Sequence, residues 1–322
     1  MKLFVQIPCF NEALTLPSVL KTIPRKIEGI DIIEILVIDD GSKDKTVHVA
    51  ESHGVSHILR LPFNKGLANA FHEGLEYSLK HGANIIVNTD GDNQYESGDI
   101  PCLLEPIMKG EAEIVIGDRG GFKNLHFPFF KRLLQVVGSK FISALVGLKI
   151  NDCVSGFRAI SASAAAQINV RSEFSYTIEM LVEAASKKIK VCSVPIRSNP
   201  KTRNSRLFRS IPHFLKMSTL TLIRTYTMHK PLRIFSTVAI VSFLSGVLPV
   251  LRFLFYFMKG ESSGHIQSLV LGSMLITLGV LVFMVGLVAD TISFNRKLME
   301  RNTIILRDIE RRLSQSNQDT NK

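Results

Sequence analysis

The sequence predicts an α/β domain built on a mostly parallel sheet, followed by two helices that cross a membrane. Up to about residue 212, short apolar runs alternate with segments of helical period, and strands that alternate with helices imply crossover connections and parallel pairing. Beyond it lie two long apolar runs, Ile234–Met258 and Ile266–Ala289, each close to the roughly 20 residues a bilayer requires. The 46% hydrophobic content of the 322 residues is ordinary as an average and conceals this gradient.

"KLFVQIP" reads as the first strand and "CFNEALTLPSVLKTI" as a turn and helix. "IIEILVIDDGSKDKT" is a second strand that ends in acids and glycine, with a helix through Val47–His53 after it. "VSHILRL" is a third strand, "NKGLANAFHEGLEYSLKHG" a helix closed by glycine, and "ANIIVNTD" a fourth strand. In such a sheet ligands gather at the carboxyl ends of the strands, which puts Asn11, Glu12, Asp39, Asp40 and Asp90 on one edge. No GxGxxG follows the first strand and no GxxxxGK[ST] occurs, so any phosphate has to be held by a metal and basic side chains. "DDGSKDKT" alone is a turn with a helix cap; its place at a strand end shared with Asp90 makes Asp39 a candidate base or ribose contact.

The fourth strand runs into "NTDGDNQYESGD". Alone, "DGDN" is an ordinary turn. In an extended segment, residues two apart point the same way at roughly 6–7 Å, so Asp90, Asp92 and Gln94 would offer oxygens to one point that Gly91 leaves open. Mg2+ and Mn2+ favour one or two protein carboxylates plus substrate phosphates. The cluster is thus read as a half-built metal site that a phosphate completes.

Between Lys123 and Ile150, "FPFFKRLLQVVGSKFISALVGLKI" sets apolar residues on one helical face with Lys131, Arg132 and Lys140 interspersed. It is either a buried amphipathic helix or one lying in the membrane interface. Ile211–Met228 is a second such candidate. From Arg197 to Arg233 there are nine Lys/Arg residues and no Asp or Glu, within a net charge of +11. Because this stretch leads into a span, anionic membrane lipids fit it better than nucleic acid, and no nucleic-acid module or set of interleaved aromatics accompanies it.

"KGESSGH" between the runs is too short for a domain, so they form a hairpin; Arg252 can snorkel to the headgroups and Pro249 can kink the first span. Lys230 and Arg233 precede that span, and Arg296, Lys297 and Arg301 follow the second, which places both ends and the N-terminal domain on the cytoplasmic side. "MKLFVQIPCFNEA" does not read as a secretory signal. The four cysteines form no CxxC pair and fit a reduced compartment. After Ala289, charges alternate with Leu and Ile at helical spacing before a polar, disordered end. That seam either pairs protomers into a homo-oligomer or lies on the membrane.

With these pieces placed, the chain resembles the membrane-associated family 2 glycosyltransferases, specifically the dolichol-phosphate mannose synthase-like polyprenyl-phosphate glycosyltransferases. The similar elements are "IPCFNE", "VIDDGSKDKT", "NKGLANA", "NTDGDNQY", "IGDR", "DCVSGFRA", "FSYTIEMLVEA" and "VPIRSNPKTRNSR", in order across nearly all of the soluble part. The resemblance implies a GT-A (Rossmann-like) fold, a nucleotide-sugar donor, Mg2+ or Mn2+, a polyprenyl phosphate acceptor, and inversion at the anomeric carbon. By the same resemblance Asp90, Asp92 and Gln94 take the metal positions, and Pro8, Asn11, Glu12 and Asp39 lie near the nucleoside. Arg119, Arg203 and Arg206 surround the phosphates, and Asp152 matches an acid near the acceptor. Two departures stand out. Asp118 replaces the family's usual serine, and "RNSR" lacks the usual glycine and lysine, so Arg206 offers a planar fork in place of a point charge.

The expected organisation is a GT-A domain over 1–210, a basic juxtamembrane segment over 211–233, the hairpin over 234–289 and a cytoplasmic amphipathic tail over 290–322. A processive polysaccharide synthase is the nearest rival, but it carries a QxxRW motif and this chain has no Trp. Two more rivals are compatible with the sequence: transfer to another lipid or glycan hydroxyl, and a membrane-tethered nucleotide-binding scaffold without turnover.

Overall fold

A computed structural model describes residues 1–121, 129–168, 176–200, 219–220, 227–228, 230–260 and 265–320. Two compact units divide the chain, Met1–Leu222 and Ile223–Lys322, and the boundary falls inside the stretch read as the juxtamembrane segment.

The first unit begins as the periodicity predicts: β1 (Lys2–Cys9), α1 (Leu16–Thr22), β2 (Ile32–Asp39), α2 (Thr46–Ser52), β3 (His57–Arg60), α3 (Leu67–Lys80) and β4 (Ile85–Asn88). A 3-10 turn at Ser97–Asp99 leads into α4 (Ile100–Met108), and then come β5 (Ile114–Asp118), α5 (Phe129–Val146), β6 (Arg158–Ser161), α6 (Ala162–Gln167), α7 (Tyr176–Ser186) and β7 (Val191–Pro195). The strands form one seven-stranded sheet in the order β3-β2-β1-β4-β6-β5-β7. All neighbours are parallel except β6, which runs antiparallel to both β4 and β5.

Alternation along each strand divides the core in two. Phe4, Leu36, Ile38, Ile86, Ile114, Ile116 and Ile160 face one side, with Phe71 and Leu75 of α3 and Met180 and Leu181 of α7. Leu3, Val5, Ile7, Ile35, Val37, Val87 and Val115 face the other, with Leu16 and Leu20 of α1 and Leu103 and Leu104 of α4. Helices on both faces explain why the central strands read as continuous apolar runs. Gly74 lets α3 approach β1: a Cβ there would lie 2.6 Å from Gln6 Oε1.

Two features of this topology position the edge. The chain lays β2 and β3 to one side of β1 and then returns to put β4 on the other, so a crevice opens beyond the carboxyl ends of β1 and β4. The reversed direction of β6 brings the loop that enters it to the edge where β4 and β5 leave the sheet.

α5 buries Gln135, Ser139 and Ile142 and turns Leu133, Val137 and Phe141, one helical stripe at i, i+4 and i+8, outward. Its exposed stripe is therefore apolar, while polar side chains help form its inner face.

The second unit contains α8 (Pro231–Met258) and α9 (Ile266–Thr320). Both have a segment long and apolar enough to cross a membrane. Where the sequence predicts a disordered end, α9 continues as helix through Thr320. Glycines at heptad spacing on α9 meet α8: a Cβ on Gly272 would lie 2.7 Å from Gly246 O, one on Gly279 2.9 Å from Ala239 O, and one on Gly286 2.6 Å from Phe235 Cβ. Ser242 Oγ donates across the pair to Leu275 O at 2.9 Å, and Ser293 Oγ to Met228 O at 2.8 Å. Small residues let the helices approach where apolar lipid tails provide no hydrophobic drive for association.

Gly279→Leu forces the helices apart at a cost of about 1–3 kcal/mol of packing. A disulfide crosslink engineered between Ser242→Cys and Leu275→Cys is expected to form readily in the native background and to fall sharply with Gly279→Leu; an unchanged yield would refute the close approach.

Candidate active site

The β1 loop is clamped to the β2 loop by side chains. Asn11, at φ 54, receives the amide N–H of Lys43 on Oδ1 at 2.7 Å, and its own N–H donates to Ser42 Oγ at 2.8 Å. Asparagine tolerates this left-handed conformation better than most residues. The N–H groups of Glu12 and Ala13 donate to Thr46 Oγ1 at 2.8 Å and Asp44 Oδ2 at 3.1 Å. Burial works to raise the Asp44 pKa, but the hydrogen bonds from Thr46 and Ala13 outweigh it and hold the carboxyl below its ordinary value.

Neighbouring acids at the end of β2 have different tasks. Asp40 receives the N–H groups of Lys65 at 2.7 Å and Gly66 at 2.9 Å and so ties β2 to the start of α3. Its pKa is raised, chiefly by burial. Asp39, level with Cys9 in the β1–β2 register, accepts from Ser42 N at 3.2 Å. The sequence groups both acids at the ligand edge; the structure gives Asp40 to the scaffold.

The metal-site reading requires an extended chain through Asp90, Asp92 and Gln94. That premise fails, because β4 ends at Asn88 and the chain turns at once, with Asn93 at φ 60. Asp92 Oδ2 accepts from Gln94 Nε2 at 2.6 Å and Oδ1 from Gln94 N at 3.2 Å, so Gln94 orients Asp92. Thr15 Oγ1 ties this turn to the β1 loop, donating to Gly91 O at 2.7 Å and Glu12 Oε2 at 2.9 Å. Gly91 has no room for a side chain: its Cβ would lie 2.9 Å from Cys9 Sγ. Among the described residues no group of three or more His, Cys, Asp or Glu side chains could by itself hold a metal ion. A site with one or two carboxylates is complete as a hard-cation shell only when other oxygens, such as those of a phosphate, join them.

Behind the turn stands a buried polar relay. Gln6 Nε2 donates to Asn88 Oδ1 at 3.0 Å, and Asn88 Nδ2 lies 2.9 Å from Gly156 O and 3.1 Å from Tyr176 Oη. Gly156 N–H donates to Tyr95 Oη at 2.8 Å. A Cβ on Gly156 would come within 2.8 Å of Tyr176 Oη and 3.1 Å of Asp90 Oδ1, so the glycine of "DCVSGFRA" lies directly against the first acid of "DGDN".

Asp152 is fully buried, and both of its oxygens are taken by one guanidinium. Arg119 Nε lies 2.7 Å from Oδ2 and Nη2 2.9 Å from Oδ1, a two-point pair. Burial alone would lower the Arg119 pKa, but the Asp152 carboxylate raises it well above the ordinary value. The guanidinium carbon lies 5.9 Å from the Tyr95 ring centroid, and burial, as the main cause, pushes the Tyr95 pKa up to about 12. Asp118 Oδ1 and Oδ2 accept from Gly120 N at 2.8 Å and Asn151 Nδ2 at 3.0 Å.

Pro8, Asn11, Glu12, Asp39, Asp90, Asp92, Gln94, Arg119 and Asp152 thus all belong to the carboxyl-end edge. Arg203 and Arg206 lie outside the described residues. Sequence reasoning missed the supports. Arg197 binds Asp99 through N (2.7 Å), Nε (2.9 Å) and Nη2 (2.6 Å). Asn199 N donates to Gln94 O at 2.9 Å and Asn199 Nδ2 to Asn93 O at 3.2 Å. Arg158, with no exposed surface, donates to the carbonyls of Cys153, Ser155 and Thr177. Arg158, Arg197 and Asn199 lie inside quoted motifs, but no local signal marked them as supports.

Comparison with known proteins gives a consistent pattern. The family model "Glycosyl transferase family 2" matches residues 4–168, and "GtrB C-terminal hairpin" matches residues 230–294. The glycosyltransferase AglJ of Haloferax volcanii is 30% identical over 300 residues, covering 91% of this chain and 95% of that protein. The undecaprenyl-phosphate mannosyltransferase of Micrococcus luteus is 27% identical over 206 residues, covering 61% and 83%. Among solved structures, glucosyl-3-phosphoglycerate synthase of Mycobacterium tuberculosis with Mn2+, uridine diphosphate and glucosyl-3-phosphoglycerate matches with a TM-score of 0.55 at 22% identity. It covers 70% of this chain and 78% of that one, a likeness of fold.

Arg119→Met leaves a buried, unpaired carboxylate and is expected to destabilise the domain by about 3–5 kcal/mol. Arg119→Met combined with Asp152→Leu should cost much less, by thermal melting of the full chain; equal losses would mean that the pair is not coupled. Tyr95 contributes to the alkaline pH dependence, alongside Tyr176, whose pKa burial also raises. The folded Tyr95 pKa of about 12 exceeds the ordinary 10.0, so the folded form holds its proton longer. That contribution is complete below pH 10 and is lost as pH rises toward 12. Melting temperature should fall across that window, and less steeply in Tyr95→Phe.

Proposed function

The chain belongs to glycosyl transferase family 2, a glycosyltransferase with a GT-A-like α/β domain and a two-helix hairpin, and we propose that it transfers a sugar from a UDP- or GDP-sugar to a polyprenyl phosphate at the cytoplasmic face. One observation carries this reading: an acidic turn and a largely buried cation flank the same point. Gly156 lies against Asp90 on one side and is bonded to Tyr95 on the other, over whose ring Arg119 is held. Such a site has negative charge for a cation beside positive charge for phosphates. The names of the relatives, among them an undecaprenyl-phosphate mannosyltransferase, support a polyprenyl phosphate acceptor.

In the proposed reaction an acceptor phosphate oxygen attacks the anomeric carbon in line. The bond from that carbon to the donor phosphate breaks, and the nucleoside diphosphate leaves with the electron pair. Mg2+ or Mn2+, held by Asp90 and Asp92, would neutralise the leaving diphosphate. Gln94 fixes Asp92, and the clamped β1 and β2 loops set Pro8, Asn11, Glu12 and Asp39 around the nucleoside. A phosphate with a second pKa near 6 is already largely dianionic at neutral pH, so no strong base is required. This agrees with Asp152, whose two oxygens orient Arg119. Arg119 is the phosphate-facing cation, joined by Arg203 and Arg206. On α5, Gln135 buries its amide with no hydrogen-bond partner among the described residues, one turn from Ser139, which meets the Cys153 loop. The outward Leu133, Val137 and Phe141 suit a helix lying at the surface of an anionic membrane. Rate enhancement then rests on positioning and preorganised charge.

The test is a panel of UDP- and GDP-sugars with polyprenyl phosphate and Mg2+ or Mn2+, scored for glycolipid by mass spectrometry. A product that requires the cation and falls at least a hundredfold in Asp92→Ala, on the order of one lost electrostatic contact, is expected. Intact nucleotide binding with no product from any donor would overturn the assigned acceptor.

A further inference from the structure

Between Arg233 and Arg252, α8 carries no charged residue. At the helical rise, residues 234–251 cover about 27 Å, close to the roughly 30 Å of a bilayer's hydrocarbon. The two arginines therefore bracket the apolar layer, and Arg252 sits at the beginning of the second headgroup region. α9 keeps the same depth. Gly272 meets Gly246 and Gly279 meets Ala239, a register that brings Arg252 level with Ile266, the first residue of α9.

Beyond Arg252 the hairpin gathers cations onto aromatic rings. The Arg252 guanidinium lies 6.0 Å from the Tyr256 ring centroid. His265 stacks on that ring at 3.8 Å and 24°. The Lys259 ammonium lies 4.3 Å from the Phe255 centroid. Arg252 and Lys259 are both exposed, and Glu261 is the single acid between them and His265 in sequence. Amphipathic rings favour headgroup depth, and ring contact holds the two permanent cations there. Cations that only needed water would gain nothing from being fixed at one depth; a layer of phosphates at that depth makes the arrangement useful.

We infer that this tip, Arg252 and Lys259 with Tyr256 and His265, is a binding site for phospholipid phosphates in the leaflet remote from Lys230 and Arg233, with a preference for anionic headgroups. It is independent of the sugar-transfer reading.

The full chain is placed in nanodiscs of mixed phosphatidylcholine and phosphatidylglycerol, one lipid at a time carrying a photoactivatable headgroup, and adducts on the tip peptide are counted by mass spectrometry. Phosphatidylglycerol should label the tip several times more than phosphatidylcholine. That ratio should fall to near one in Arg252→Gln/Lys259→Gln, because each basic side chain near the surface contributes on the order of 1 kcal/mol, while Arg252→Lys/Lys259→Arg and Lys230→Gln/Arg233→Gln keep it. Raising salt should lower the native ratio, a check that needs no variant. Equal labelling by the two lipids, a ratio untouched by salt, or a ratio unchanged in the glutamine variant would overturn the inference.

Discussion

One reversed strand organises the catalytic edge. Because β6 runs antiparallel between β4 and β5, the loop entering it arrives where those two strands depart. Asp90 follows β4, Arg119 follows β5, and Asp152 precedes β6; a fully parallel sheet would carry Asp152 to the opposite edge. The relay through Asn88 then makes the junction rigid. A buried amide left unsatisfied is costly, so its bonds to Gln6, Gly156 and Tyr176 tie β1, β4, the β6 loop and α7 together behind the acidic turn.

Concentrating acids at one edge has an electrostatic cost, and the fold distributes it. Asp40 and Asp44 are consumed by backbone amides, and Asp152 by a guanidinium. The thiol of Cys9 reports the remaining field. Its pKa is pushed well up, first by burial and then by Glu12, Asp39 and Asp90. A cluster of acids favours a cation over an isolated phosphate, which is why the proposed reaction pairs the donor diphosphate with a divalent ion. The cations proposed to meet phosphate belong to other segments of the sequence: Arg119 after β5, and Arg203 and Arg206 beyond β7.

The hairpin follows a different logic. Its interior surface is made of small residues at heptad spacing, and its outer surface of large apolar ones such as Leu248, Leu281 and Val285. In water the outer residues would drive collapse. In lipid they cost nothing, and close backbone approach supplies the association. The same sequence therefore specifies two solvents, with the boundary marked by charge.

Much of this was legible in the sequence, and the reason is local. Strand and helix periods, two long apolar runs and the acids at strand ends are properties of neighbouring residues, so the first four strands, the hairpin and the place of Asn11, Glu12, Asp39, Asp90 and Asp92 at the sheet edge could be read directly. Tertiary structure decided the remainder. It showed that the "DGDN" segment is a turn held by Thr15 and Asn199, that Asp40 serves α3, and that Asp152 faces Arg119, 33 residues away. It also reversed β6, an element whose four residues carry no sign of direction. Partners distant in sequence meet only when the sheet order is fixed, and that order depends on the packing of whole layers, which no short stretch of residues encodes.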